Sequence, residues 1–308
     1  MSDTLTDPDA GRDLRGRLGR LPTWTRAWLS DATVRESQGD RVLDAGPIAL
    51  ITIRRERAGL LTPDEFELVA SGAYRRLREL LASLHASHPV RLWNFIPRIH
   101  APCGRDDLAG EVTRYMVFNA GRYRGYIERF FGAEEFPAAM PTATGVGHDG
   151  DDLVLHCLAM HAPGEPVENP RQIPAYAYSR KFGALPPCFS RATSVLRGDR
   201  RFLLIGGTAS VRGEASMHEG SLDRQLDETL ANLRELLTVW SAPASSPRPG
   251  HVALSHARAY YPRHADLAVI EPRLREGLPG ATLEFIRADL CRRELLVEIE
   301  GLAETAHD

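Results

Sequence analysis

"AYRRLRELLASLHASHPVRLWNFIP", residues 73–97, joins a leucine-rich helical stretch to an extended run ending aromatic–x–Pro. The same plan recurs further on. "ETLANLRELL", residues 228–237, precedes "HVALSHARAYYP", residues 251–262, which ends aromatic–Pro. Each copy has a Leu-rich helix, then a linker, then an extended strand. Two distant copies of one helix-plus-strand unit are a diverged internal duplication, with a period far longer than that of solenoid repeats.

The remaining elements fit around these two units. "GPIALITIRR" reads as a strand. "TPDEFELVASGAYRRLRELLASLHA" is a helix in which Thr62 is the N-cap and Glu65 completes a capping box. "RDDLAGEVTRYMVFNAGRYRGYIERFF" reads as a second long helix, with Asp106 or Asp107 near its start, and "DDLVLHCLAM" and "RFLLIGGTASV" as strands. The later order is helix ("EGSLDRQLDETLANLRELLTVW"), strand, helix ("HADLAVIEPRLREGL") and two strands ("ATLEFIRADL", "LLVEIEGLA"). Residues 1–20 are polar and read as a flexible arm. The Gly-rich "PTATGVGHDGDD" places the border between an N-terminal half, 21–145, and a C-terminal half, 146–308, expected to carry most of the active site. "SAPASSPRPG" reads as a surface loop in the second copy.

A chain of 308 residues that is 43% hydrophobic can bury a large core. A net charge of −3 gives no global sign of nucleic-acid or membrane binding. No apolar run approaches the roughly 18 residues of a membrane span, and the N-terminus lacks an apolar signal core. Cys103, Cys157, Cys188 and Cys291 show no metal-ligand spacing, and there is no P-loop, HExxH or GxGxxG. These features predict a reduced, cytoplasmic protein that needs no metal or cofactor.

Near the C-terminus, "RADLCRRELLVEIEG", residues 287–301, runs from a loop into a strand. Period 2 sends Leu295, Val297 and Ile299 to one face and Leu296, Glu298 and Glu300 to the other. Glu298 is either a solvated carboxylate or a buried acid facing a cavity.

Residues 200–305 resemble the Rid (YjgF-type) family through "IGGTASVRGEASMHEGSLDRQLDETLANLRELL", "HVALSHARAYYP", "LREGLPGATLEF" and "LLVEIEGLA". Rid imine deaminases carry an arginine in the segment after "PG" that binds the substrate carboxylate; here that segment is Ala281, Thr282, Leu283 and Glu284. A wider resemblance covers nearly the whole folded chain. "LWNFIPRI", "RYMVFNAGRYRGY", "PTATGVGHDGDDLVLHCLA", "ENPRQIPAYAYSRKFGALPPCFSRAT", "GGTAS" and "LCRRELLVEIEG", in that order, are similar to the chorismatase family.

The resemblance implies an α/β (α+β) fold of two fused Rid/YjgF-like (chorismate mutase-like) halves, each a sheet backed by helices, forming a monomeric pseudo-trimer. It implies cleavage of the enolpyruvyl ether of chorismate to pyruvate and 3-hydroxybenzoate, with hydrolysis to a dihydroxycyclohexadienoate, or binding without turnover, as the alternatives. Glu298 takes the place of the family's general acid, with Glu300 the weaker candidate. Cys291 occupies the place where hydroxybenzoate-forming members have a cysteine that steers the intermediate. Chorismate is a dianion, and forked cations suit its carboxylates; the matching arginines are Arg122 and Arg191, with Arg124 and Arg180 as neighbours. Tyr178, ahead of Tyr176, is the substrate-facing tyrosine. Gly206, just before "GTAS", is the lining residue that varies with product subtype.

Overall fold

The computed structural model describes residues 21–37, 39–107, 110–127, 140–241 and 252–306. The arm at 1–20 and nearly all of the "SAPASSPRPG" loop lie outside them.

The duplication is present in the topology itself. One six-stranded sheet comprises β1 (Thr33–Ser37), β2 (Asp40–Asp44), β3 (Ile48–Arg55), β4 (His88–Pro97), β7 (Thr142–His148) and β8 (Leu153–Met160). Its order is β1-β2-β3-β8-β4-β7. Between β4 and β7 comes a hairpin, β5 (Pro102–Asp107) and β6 (Gly110–Thr113). The second sheet comprises β9 (Glu165–Val167), β10 (Ala192–Arg197), β11 (Arg200–Ala209), β14 (Leu254–Tyr261), β15 (Thr282–Arg287) and β16 (Glu298–Ala306). A small hairpin, β12 (Val211–Arg212) and β13 (Ala215–Ser216), follows β11. The order in this sheet is β9-β10-β11-β16-β14-β15, read from the other edge. Replacing β1, β2, β3, β8, β4 and β7 by β9, β10, β11, β16, β14 and β15 reproduces the pairing, including the single parallel pair in each sheet, β4 with β7 and β14 with β15.

Helices cover the outer face of each sheet. After the short α1 (Trp24–Trp28), α2 (Pro63–Ala82) and α3 (Arg114–Arg122) belong to the first half, and α4 (Leu222–Ser241) and α5 (Leu267–Gly277) to the second. The capping box read from the sequence is formed: Glu65 Oε2 accepts from the Thr62 backbone N–H at 2.9 Å. The stripe Phe66, Ala70, Ala73, Tyr74, Leu77 and Leu81 of α2 buries against Ile51, Ile53 and Leu92. In α4, Leu226, Leu230, Leu233 and Trp240 meet Val297, Ile299 and Ala303 in the same way. Each buried leucine contributes about 1.5–3 kcal/mol, so these stripes, rather than helix propensity, fix the helices on their sheets.

The inner faces of the two sheets share a third core, which includes Trp93, Phe95, Val146, Leu158, Leu204, Tyr260 and Leu302. α1 lies at one end of it, with Trp24 beside Trp93 and Trp28 against Phe202. The halves join where β7 runs beside the segment entering β10. Thr142 bridges Ser190, and Thr142 Oγ1 donates to the Arg191 carbonyl at 3.1 Å.

Three expectations need correction. The long helix read over 105–131 begins only at Arg114, because Pro102–Asp107 and Gly110–Thr113 are the paired strands β5 and β6; its last residues lie outside the described part. The border at 145 would cut β7, which pairs with β4 of the first sheet, so the sheets divide between Met160 and Glu165. Leu295 does not share a face with Val297 and Ile299. It precedes β16 and packs in the inner core, whereas Val297 and Ile299 face the helices.

Candidate active site

A cavity of about 310 Å³ opens at the seam between the halves, lined from α3 and β7 on one side and from β11 and the 172–191 and 291–298 segments on the other. Its walls include Glu298, Arg122, Arg191, Tyr178 and Cys291, so five residues singled out in the sequence are brought together across 176 residues of chain.

Glu298 is the first residue of β16, held between Ala209 of β11 and Tyr260 of β14. The alternation that sends Val297 and Ile299 to the helices turns Glu298 inward, where it is 4% exposed. Burial, reinforced by the neighbouring Glu300 carboxylate, pushes its pKa up to about 8, against the opposing pull of Arg91, Arg191 and Arg292. Glu298 therefore carries its proton at neutral pH. A neutral carboxyl that faces a cavity can donate a proton, which a solvated surface carboxylate cannot.

Arg122 ends α3 and is 3% exposed, with Nε and Nη2 unpartnered. Arg191 is 6% exposed. Its Nη2 donates to the Tyr178 hydroxyl at 2.7 Å and to the Ile173 carbonyl at 2.9 Å, while its Nε is unpartnered. Phe189 lies between the two guanidiniums, 5.9 Å from that of Arg122 and 5.2 Å from that of Arg191. Neither arginine has a carboxylate partner in a salt bridge among the described residues. Two buried forks with free N–H groups can hold an anionic group. Behind Arg191, burial pushes the half-buried Glu168 carboxyl up to about 7, which limits its power to neutralise that arginine.

The Cys291 thiol lines the cavity, and burial, with the nearby Glu298, pushes it up to about 12. It is a thiol and a weak S–H donor, not a thiolate.

Gly206 is a correction. The pairing of β11 with β16 slips between Ile205 and Thr208, so the glycine pair forms a β-bulge. The bulge moves the alternation by one residue. Gly206 turns away from the cavity, where a Cβ would meet Thr142 Oγ1 and the Ala143 carbonyl; Gly207 faces the cavity, where a Cβ would overlap the Glu298 carboxyl. The residue that leaves room for the acid is Gly207.

Of the neighbours kept open, Tyr176 packs on the first-half core, and Arg124 pairs with Glu67 at the surface. Glu300 is buried but points to the inner core. Sequence reasoning missed Arg292, Tyr115 and Gln172. The Arg292 guanidinium sits 3.9 Å from the Phe182 ring centroid and donates to the Glu214 carbonyl at 2.8 Å. Gln172 leaves a buried, unpartnered carbonyl oxygen at the cavity wall. Arg292 was legible in principle, because it adjoins Cys291 in "LCRRE".

A duplicated α+β chain whose central cavity sets one buried carboxyl with a raised pKa beside two arginines that have no salt bridge among the described residues is a pocket suited to a small acidic molecule. Residues 26–159 match the model for the N-terminal region of FkbO/Hyg5-like chorismatases. A 3-hydroxybenzoate synthase of Streptomyces hygroscopicus is 31% identical over 289 residues, 91% of this chain and 81% of that one. A chorismatase of Streptomyces rapamycinicus is 30% identical over 239 residues, 75% of this chain and 69% of that one. A crystal structure of a chorismatase superposes with a TM-score of 0.76 at 25% identity, over 87% of this chain and 78% of that one. The chain belongs to the chorismatase family. Among the described residues no helix is long and apolar enough to cross a membrane.

Proposed function

We propose that the protein cleaves chorismate to pyruvate and 3-hydroxybenzoate, with Glu298 as general acid. The observation that carries this reading is the neutral Glu298 carboxyl facing Arg122 and Arg191, whose free N–H groups suit the two carboxylates of the substrate. Glu298 protonates the enolpyruvyl methylene, which leaves positive charge on the ether carbon. The C4 hydroxyl of the ring then attacks C3 and displaces pyruvate, and the resulting oxide opens and aromatises. Pyruvate and 3-hydroxybenzoate together contain every atom of chorismate, so no water is consumed. Arg191 with Tyr178 fixes one carboxylate and Arg122 the other, while the Cys291 thiol lies where it can act on the ring intermediate. Gly207 lets the acid and the ring approach each other. The relative named a 3-hydroxybenzoate synthase supports this subtype over hydrolysis.

Chromatography of a chorismate reaction tests the reading. Pyruvate with 3-hydroxybenzoate, and a product ratio altered in Cys291→Ala, are expected. Dihydroxycyclohexadienoate as the main product, unchanged in Cys291→Ala, would replace this subtype by hydrolysis; no turnover would leave a binding protein.

The pH dependence follows from the direction of the Glu298 shift. The acid works when protonated, so kcat/KM should hold through neutrality and fall as pH rises through about 8. The same shift acts on stability: between the ordinary carboxylate range and about 8 the folded state holds a proton that the unfolded chain releases, so stability declines as pH rises through that window.

The two glycines should separate stability from chemistry. Gly206→Ala drives a Cβ against the Ala143 carbonyl and should cost about 1–3 kcal/mol in urea unfolding. Gly207→Ala meets only the movable end of Glu298, and should melt near wild type while forming less 3-hydroxybenzoate. The reading also holds the protein to be a cytoplasmic monomer, since its two halves already enclose a shared core; a light-scattering mass near three times 34.1 kDa would reject the monomer.

A further inference from the structure

Two residues beyond Glu298, on the same inward face of β16, Glu300 is 3% exposed and surrounded by donors. Arg91 of β4 donates to Oε2 at 2.6 Å and Thr144 of β7 to the same oxygen at 2.7 Å. Trp93 of β4 and Tyr260 of β14 each donate to Oε1 at 3.1 Å. Arg258 of β14 stands 4.0 Å from Oε1 and pairs with Glu284 of β15 at 2.5 Å. The arrangement draws on both halves of the chain. Its charges balance without Glu298: two guanidiniums, Arg91 and Arg258, face two carboxylates, Glu300 and Glu284. The corresponding strand of the first half, β8, turns Val154 and His156 to the inside, so this carboxylate pair belongs to the second copy.

We infer that Glu300 is a positioning residue for the acid: it saturates Arg91 and sets a fixed negative charge beside Glu298, so that the catalytic carboxyl keeps its proton. The inference rests on the proposed role of Glu298 and adds the device that maintains it. Without Glu300, the Arg91 guanidinium would have Glu298 as the nearest carboxyl on that face and would draw it into ionisation. The other groups around Glu298 include Arg191 from the segment entering β10, Arg292 and Cys291 from the loop before β16, and Tyr115 from α3; Glu294, on that same loop and lining the same cavity, accepts from the Ser216 hydroxyl at 2.6 Å. The two arginines favour the ionised form, and the thiol and phenol are uncharged, so Glu300 is the group that opposes them by charge.

The test is the titration of Glu298 itself. Infrared difference spectra between the protein and its Glu298→Gln variant isolate the carbonyl band of the protonated carboxyl, with no substrate present. In a Glu300→Gln background that band should vanish at a pH lower by at least about one unit, and the basic limb of kcat/KM should move with it. Glu300→Asp keeps the charge but draws it back by one methylene, and should shift the band in the same direction by less. This second variant carries the test if Glu300→Gln does not fold. A band that titrates as in wild type in whichever variants fold would overturn the inference. The readouts also separate the two readings. A shifted band in a protein that leaves chorismate untouched would sink the substrate assignment and keep the role of Glu300. Turnover with an unshifted band would do the reverse.

Discussion

Replacing Glu298 by glutamine is expected to slow chorismate turnover by at least about a hundredfold, within the range general-acid groups supply. Glutamine keeps the size of the side chain and its place between Ala209 and Tyr260, but it has no acidic proton. The enolpyruvyl methylene is a weak base, so the step depends on a donor already in position. Folding should survive and even gain. Wild-type Glu298 is destabilised as pH rises because it is buried with a raised pKa, and the amide removes that penalty. The variant should therefore melt at or above the wild-type temperature at pH 8 while being nearly inactive, a trade of stability against activity common at catalytic groups. Turnover near the wild-type rate in a well-folded variant would remove Glu298 from the mechanism.

The second large effect concerns Arg191. Losing one forked arginine–carboxylate pair should weaken substrate binding by about 2 kcal/mol or more, roughly thirtyfold in KM. Arg191→Ala also frees the Tyr178 hydroxyl from its 2.7 Å bond, so the loss includes some misplacement of that ring. Arg191→Lys restores the charge without the fork and should fall between wild type and alanine. Arg275, on α5 and paired with Glu271 at the surface, is the control: its alanine variant should leave KM unchanged. Equal effects at Arg191 and Arg275 would mean that overall charge, and not the site, governs binding.

The duplication was legible because each copy has an unambiguous helix. The periodic leucines of α2 and α4, and the Thr62–Glu65 box, are local signals that tertiary structure only confirms. The β5–β6 hairpin was not legible. Its polar residues lack alternation, and Asp106 and Asp107 imitate a helix start beside the true helix at Arg114. Glu298 could be placed on the face opposite Val297 and Ile299 because β16 is regular there, while whether that face is solvated or buried stayed open until the partner strands were in place. The "GGTAS" glycines could not, since a bulge shifts parity by one residue and leaves no trace in composition. The surroundings of Arg292 and Glu300 were not legible for a different reason. A charged residue on a loop or at alternate strand positions reads as surface, and only its partners show that Glu300 is buried and that Arg292 is half-buried against Phe182.

The central claim is that Glu298 delivers a proton to the enolpyruvyl methylene, and deuterium can follow that proton directly. A single turnover of chorismate in D2O should give pyruvate with one deuterium in its methyl group, beside 3-hydroxybenzoate, and the Glu298→Gln variant should give neither product on that timescale. Undeuterated pyruvate from the wild type, or singly deuterated pyruvate formed at the wild-type rate by the variant, would contradict the account.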